Sequence, residues 1–310
     1  MIPKRAALVS AAALVLGAVA VPPATAAPFG LVGWATQAGG TTGGGNATPI
    51  TVTTASAFTD AAKASGAAVI RVSGTISLPS MTKIASDKTI EGVGSGSTIT
   101  GQGLNISNAS NVIVRNLNFR NWGDDAINVQ YSTRVWIDHN TFSNGYDGAL
   151  DVKRASDYVT VSWNKFTSHN KTMLLGHSDD NGSEDRGKLR VTYHHNWFDG
   201  TQQRHPRVRF GNPVHVYNNY YGGVTSYGVA STVEAGVLVE GNFFENTRDP
   251  FHRGEGSSAG GSLVARNNHF VNSGSGDQGG SVKSPPYSYQ LDSASTVKSV
   301  VTAGAGAGRG

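Results

Sequence analysis

Three aspartates, Asp125, Asp147 and Asp151, and three cations, Lys171, Arg204 and Arg209, are the side chains whose types suggest chemistry as a group. Carboxylates gathered in one place repel one another unless a cation stands between them, and an all-oxygen site with room for water suits calcium better than magnesium. Lysine and arginine beside such a site would stabilise negative charge on a bound or reacting group. Singly, each residue has a plainer reading: aspartates are common in turns, and lysines and arginines are mostly solvated. The fold decides between these readings by bringing the six together or leaving them apart.

A short pattern recurs through the chain. RVWIDHNTF ends at Phe142, YVTVSWNKF at Phe166, RVTYHHNWF at Phe198, VHVYNNYY at Tyr221, VLVEGNFF at Phe244 and SLVARNNHF at Phe270. Each alternates β-branched or apolar residues with polar ones up to an asparagine two places before an aromatic, which is a strand signal. NVIVRNLNF, ending at Phe119, is an imperfect seventh copy with Leu117 in the asparagine place. Successive aromatics lie 23, 24, 32, 23, 23 and 26 residues apart, and the one long interval holds the insertion SDDNGSEDRGK, Ser178 to Lys188. A strand-bearing period near 23 predicts an all-β solenoid, a single-stranded right-handed parallel β-helix, because a propeller blade needs about 40 residues or more.

Equivalent positions then stack about 4.8 Å apart. The aromatics from Phe119 to Phe270 should form an interior column, and Asn140, Asn164, Asn196, Asn219, Asn242 and Asn268 an asparagine ladder that satisfies backbone groups at a turn. The helical-looking stretch at residues 56–65 should cap the open N-terminal end of the core, and the tail after Ser281, which has lost the repeat, should lie outside the coil and fray at Gly310.

The repeat gives the charged residues a register. Asp125 lies six residues after Phe119, Asp147 five after Phe142, Lys171 five after Phe166 and Arg204 six after Phe198, while Asp151 and Arg209 follow nine and eleven after their aromatics. Unrelated surface charges have no reason to share a phase, so a carboxylate cluster beside a cationic cluster is expected on one outer face.

With these residues in place the chain resembles the extracellular pectate lyases of polysaccharide lyase family 1. The likeness rests on DDAINV with Asp125, VWIDHN, DGALD from Asp147 to Asp151, VTVSWNKF, NKTMLLGHSD with Lys171, VTYHHN and RHPRVRFG from Arg204 to Gly211, in order over most of the chain. The resemblance implies calcium-dependent β-elimination of de-esterified polygalacturonate, of endo type. It makes Asp125, Asp147 and Asp151 the calcium ligands, Arg204 the base, and Lys171 and Arg209 the binders of substrate carboxylate. Asp147 stands where the family often has glutamate. Arginine normally keeps its proton, so electrostatic stabilisation is the alternative role for Arg204.

Other residues weigh differently. His205, between Arg204 and Pro206, could contact sugar or be structural. Asp138 and His139 look like a catalytic dyad, yet His139 falls in a repeat column with Trp163 and His195, which favours a structural stack. His194 and His195 are adjacent on a strand and should point to opposite faces, which rules out a shared ion. Asp179, Asp180, Glu184 and Asp185 of the insertion read as a solvated acidic loop ahead of a second calcium site. Trp122 and Tyr146 could stack on sugars or pack in the core.

The compartment is legible at the start of the chain. Lys4 and Arg5, the apolar run Ala6–Ala20 and the small-residue site at Ala24 to Ala26 read as a secretory signal, residues 1–26, leaving residues 27–310 as one β-helix domain. That run is short of the roughly 20 residues a spanning helix needs. Without cysteine, disulfide scaffolds and zinc–thiolate sites are excluded. Removing Lys4 and Arg5 takes the net charge from +4 to +2, which gives no bulk attraction for nucleic acid. An extracellular monomer acting on pectin is expected. The alternatives are a polygalacturonase-type hydrolase, which needs two carboxylates and a water, and a non-catalytic polysaccharide-binding solenoid, since a fold alone does not give a function.

Overall fold

Runs of alternating β-branched or apolar residues, two to six long, form strands, and strands follow one another in sets of three. The computed structural model describes residues 29–310 together with Met1, so the expected leader falls outside the described residues apart from Met1. The architecture below is that of the unit Leu31–Gly310. One coil illustrates the rest: Thr133–Asp138, a sharp turn at His139 and Asn140, Thr141–Ser143, a loop, and Leu150–Lys153. Equivalent strands of successive coils pair in parallel, giving three sheets of ten, nine and eight strands. The first sheet runs from Ile50–Val52 to Ser262–Arg266, the second from Thr75–Ser77 to His269–Val271, and the third from Thr82–Ile84 to Phe251–Arg253. This is the parallel β-helix expected from the repeat.

The core is a set of stacked columns. In the first sheet Val112, Val135 and Val159 are in register, as are Val114, Ile137 and Val161, all fully buried. In the second, Phe119, Phe142, Phe166, Phe198, Tyr221, Phe244 and Phe270 pair one above another. Their ring centroids are 4.4 to 5.4 Å apart. Phe270 departs from the expected interior position: it ends the stack and is 39% exposed.

The asparagine ladder forms as expected. Asn140, Asn164, Asn196, Asn219 and Asn242 each donate from Nδ2 to Oδ1 of the next asparagine at 3.0 to 3.1 Å. Each also donates to a first-sheet carbonyl of the preceding coil, such as Asn164 to Ile137 O at 3.0 Å. Its own backbone N–H reaches the same Oδ1 above it, as Asn164 N does on Asn196. Where Leu117 replaces asparagine, its N–H still donates to Asn140 Oδ1 at 3.1 Å. The residue before each ladder asparagine makes the turn in the left-handed region, with φ of 51°, 54° and 54° at His139, Trp163 and His195. Those three rings stack at 5.8 and 4.3 Å, which supports the structural reading of His139.

The same turn corrects the reading of His194 and His195. Left-handed backbone at His195 ends the alternation, so the two rings share one side, with Nδ1 atoms 2.9 Å apart and His195 Nε2 3.1 Å from Asp292. The helix Ala55–Lys63, N-capped by Thr54, buries Phe58 and Ala62 and caps the first coil. The tail does not fray where expected. Helix Val297–Gly304 packs Val297 and Val301 against Tyr220 and Phe243, and the chain beyond bonds to Trp163 O, Thr141 Oγ1 and Asn116 Oδ1, placing Gly310 against the His139 ring.

Candidate active site

The outer face of the third sheet and the loops entering it carry the site. Asp151 lies on the strand Leu150–Lys153, in register with Asn128 and Asn105 of the preceding coils. Asp125 lies in the turn before Ile127–Gln130. Both carboxylates converge over Gly148, where a Cβ would stand 2.4 Å from Asp151 Oδ1 and 2.8 Å from Asp125 Oδ1. Only glycine leaves that space open. Both aspartates are buried, and Asp151 Oδ1 accepts the Leu174 N–H at 3.0 Å.

Lys153 was not anticipated. Its Nζ stands 2.9 Å from Asp125 Oδ2 and 3.5 Å from Asp151 Oδ2. The signal was available, because Lys153 follows Asp151 by two and strand alternation puts both on the outer face. Burial, with Asp125 beside it, pushes the Asp151 carboxyl up to about 7 against the pull of Lys153 and Arg204. Burial also raises Asp125, with Lys153 opposing and Asp124 and Asp147 adding to it. The Lys153 ammonium overcomes its own burial through these carboxylates and is held above its usual range.

Asp147 is not drawn into this pair. It is about two-fifths exposed and bonded to Lys171 Nζ at 3.1 Å. Among the described residues no three acidic or histidine side chains form a ready-made metal cluster. Asp147 nevertheless stands close enough to Asp125 to act on its ionisation.

The cations follow on the next coils, as the phase predicted. Lys171 pairs with Gln203 of the following coil, beside Arg204, whose carbonyl accepts the Met173 N–H at 2.8 Å. Arg204 has a left-handed φ of 65° and a buried Nε with no hydrogen-bond partner, and its charge reaches Asp151. Arg209 is bonded through Nε to Asp179 Oδ1 at 2.5 Å and through Nη1 to Gly176 O at 3.2 Å. The insertion is therefore not a solvated acidic loop throughout: Asp179 meets Arg209, and Asp185 is fully buried, accepting the Ala155 N–H at 2.7 Å.

His205 is a correction. It is fully buried, donates from Nδ1 to Tyr227 O at 2.9 Å, and accepts at Nε2 from Thr201 and Thr172 at 2.8 and 3.1 Å. Burial pushes it down to about 3, so it is neutral and faces the core between Phe198 and Tyr221, away from any ligand on the outer face. Trp122 is likewise buried, whereas Tyr146 is 80% exposed.

A family model described as pectate lyase matches residues 5–310. The chain belongs to the pectate lyase family. It is 39% identical over 305 residues to the pectate trisaccharide-lyase of Bacillus licheniformis, covering 91% of this chain and 88% of that relative. It is 39% identical over 285 residues to the probable pectate lyase A of Aspergillus flavus, covering 88% and 87%. Among solved structures, a Bacillus sp. N165 pectate lyase in complex with trigalacturonate superposes with a TM-score of 0.84 at 34% identity, over 90% of this chain and 99% of that one. Pectate lyase II of Xanthomonas campestris gives 0.76 at 29%, again over 90% and 99%. The protein is thus an enzyme of the polysaccharide lyase kind.

Proposed function

We propose that this pectate lyase is secreted and, with calcium bound, cleaves internal bonds of de-esterified polygalacturonate by β-elimination. The observation that carries the reading is the outer face itself: two buried carboxylates, Asp125 and Asp151, stand beside Lys153, Lys171, Arg204 and Arg209 on adjoining coils. An anionic uronate fits such a face because the cations match its carboxylates and the acidic pair offers a metal its oxygens.

The donor set fits calcium. Burial, with Asp125 beside it, pushes the Asp151 carboxyl up, and a bound cation would relieve the repulsion between the two. These two would hold the ion, with Asp147 as third ligand once released from Lys171. Calcium would act as a Lewis acid toward the substrate carboxylate. Lys171 and Arg209 bind uronate carboxylates and offset charge that grows when the C5 proton leaves a group already anionic. Arg204 takes that proton. Its guanidinium stands close enough to Arg207 for the two charges to interact, and its buried Nε has no hydrogen-bond partner. The C4 oxygen then departs and takes up a proton as the hydroxyl of the new reducing end, leaving a 4,5-unsaturated sugar, so one proton is lost and one gained and no water is consumed.

Digestion of polygalacturonate by purified protein tests the bond chemistry and mode together. The proposal expects every new reducing end to be matched by an unsaturated, ultraviolet-absorbing end, with viscosity falling early. Reducing ends without absorbance would identify a hydrolase, and slow viscosity loss with short products would replace internal cleavage by release from chain ends.

A further inference from the structure

The insertion Ser178–Lys188 lengthens one coil and carries Asp179 to Arg209. Arg207 and Arg209 are two apart across the inward-facing Val208, so both point outward. The Arg209 stem lies over Gly176, where a Cβ would come within 2.7 Å of the Arg209 Cβ. Its Nε donates to Asp179 Oδ1 at 2.5 Å and its Nη1 to Gly176 O at 3.2 Å. Two of five N–H donors are thereby committed, and the remainder lie at the terminal fork, the geometry that grips a carboxylate with two parallel bonds. Asp179 is itself fixed: Ser258 Oγ lies 2.9 and 2.8 Å from its two oxygens, and Arg207 Nη2 donates to the same Oγ at 2.9 Å. A carboxylate so close to an anion-binding arginine weakens its charge. Its placement at Nε, away from the fork, exchanges some attraction for a fixed orientation.

We propose that Asp179, held by Ser258, is a positioning residue for Arg209 that sets discrimination between an ionised uronate and its methyl ester. The fork can make two parallel bonds to a carboxylate and at most one comparable bond to an ester, so selectivity depends on the guanidinium plane being held. The proposal rests on reading Arg209 as a binder of substrate carboxylate.

The test measures KM and kcat on unesterified and highly methylated polygalacturonate for wild type, Asp179→Ala, Asp179→Glu, Ser258→Ala and Arg209→Ala. Loss of the orienting bond should raise KM on the unesterified substrate about tenfold, change kcat by less than about threefold, and cut the preference for that substrate. Ser258→Ala should move in the same direction by a smaller factor and serves if Asp179→Ala does not fold, while Asp179→Glu should recover part of the preference. Equal losses on both substrates, or full preference retained in Asp179→Ala and Ser258→Ala while Arg209→Ala loses it, would overturn the proposal. Preference unchanged in Arg209→Ala would instead remove the reading of Arg209 on which it rests.

Discussion

At the scale of residues, the site combines groups that the fold would be more stable without. Asp151 and Asp125 are buried side by side over Gly148, with Lys153 against both. Asp151→Asn should therefore raise the melting temperature of metal-free protein above pH 7, because it removes a buried like-charge contact, and should abolish any calcium-dependent rise in stability. Thermal denaturation with and without calcium checks both, and a variant less stable without metal would show that the pair is already satisfied. For Arg204 the expected result is kinetic. Arg204→Lys, whose ammonium is shorter and differently placed, should lower kcat by about 100-fold or more with little change in KM, the size expected for loss of a general base. Retention of most activity at alkaline pH would leave Arg204 only an electrostatic role.

At the scale of elements, the coil register rather than any one strand places the chemistry. The asparagine ladder holds that register, since each member satisfies its neighbours' backbone and side chain together. Asn196→Ala leaves the Asn164 N–H and side-chain amide without their acceptor and should cost about 3 kcal/mol or more, measured by denaturant unfolding. Asn268→Ala, at the open end, should cost less. The ladder, the aromatic column and the phase of Asp125, Asp147, Lys171 and Arg204 were legible because a strict period makes one coil describe the next. What escaped departs from that period. His205 sits in a loop between second and third sheets, where the chain turns the ring inward and strand alternation gives no guide. Asp179 reaches Arg209 from an insertion that has no counterpart in other coils. The pairing of His194 with His195 arises from a left-handed residue that breaks the alternation assumed for it.

At the scale of the whole molecule, both terminal segments strap the outside of the coil. Trp34 N–H bonds to Thr192 and its ring meets Tyr287 edge-on at 5.6 Å, so the two segments touch on the first sheet. Beneath the tail, buried Glu240 accepts from His215, Tyr289 and Arg266 at 2.8, 2.6 and 2.6 Å. Burial opposes its ionisation, but these partners prevail and hold its carboxyl down to about 2. Its folded pKa lies below the unfolded value near 4.3, so the stability it contributes is present above about pH 4.3 and is lost as pH falls toward 2. Glu240→Gln should flatten this acid limb of the melting-temperature profile, and an unchanged limb would assign acid sensitivity elsewhere. The carboxylates and cations of this face support the proposal that it performs calcium-dependent elimination on polygalacturonate. Ultraviolet absorbance of polygalacturonate incubated with the protein, first with chelator and then with calcium restored, tests it most directly. Absorbance should rise in wild type, stop with chelator and resume with calcium, and should not recover in Asp151→Asn; absorbance that grows equally in chelator, or never grows with calcium, would refute calcium-dependent elimination.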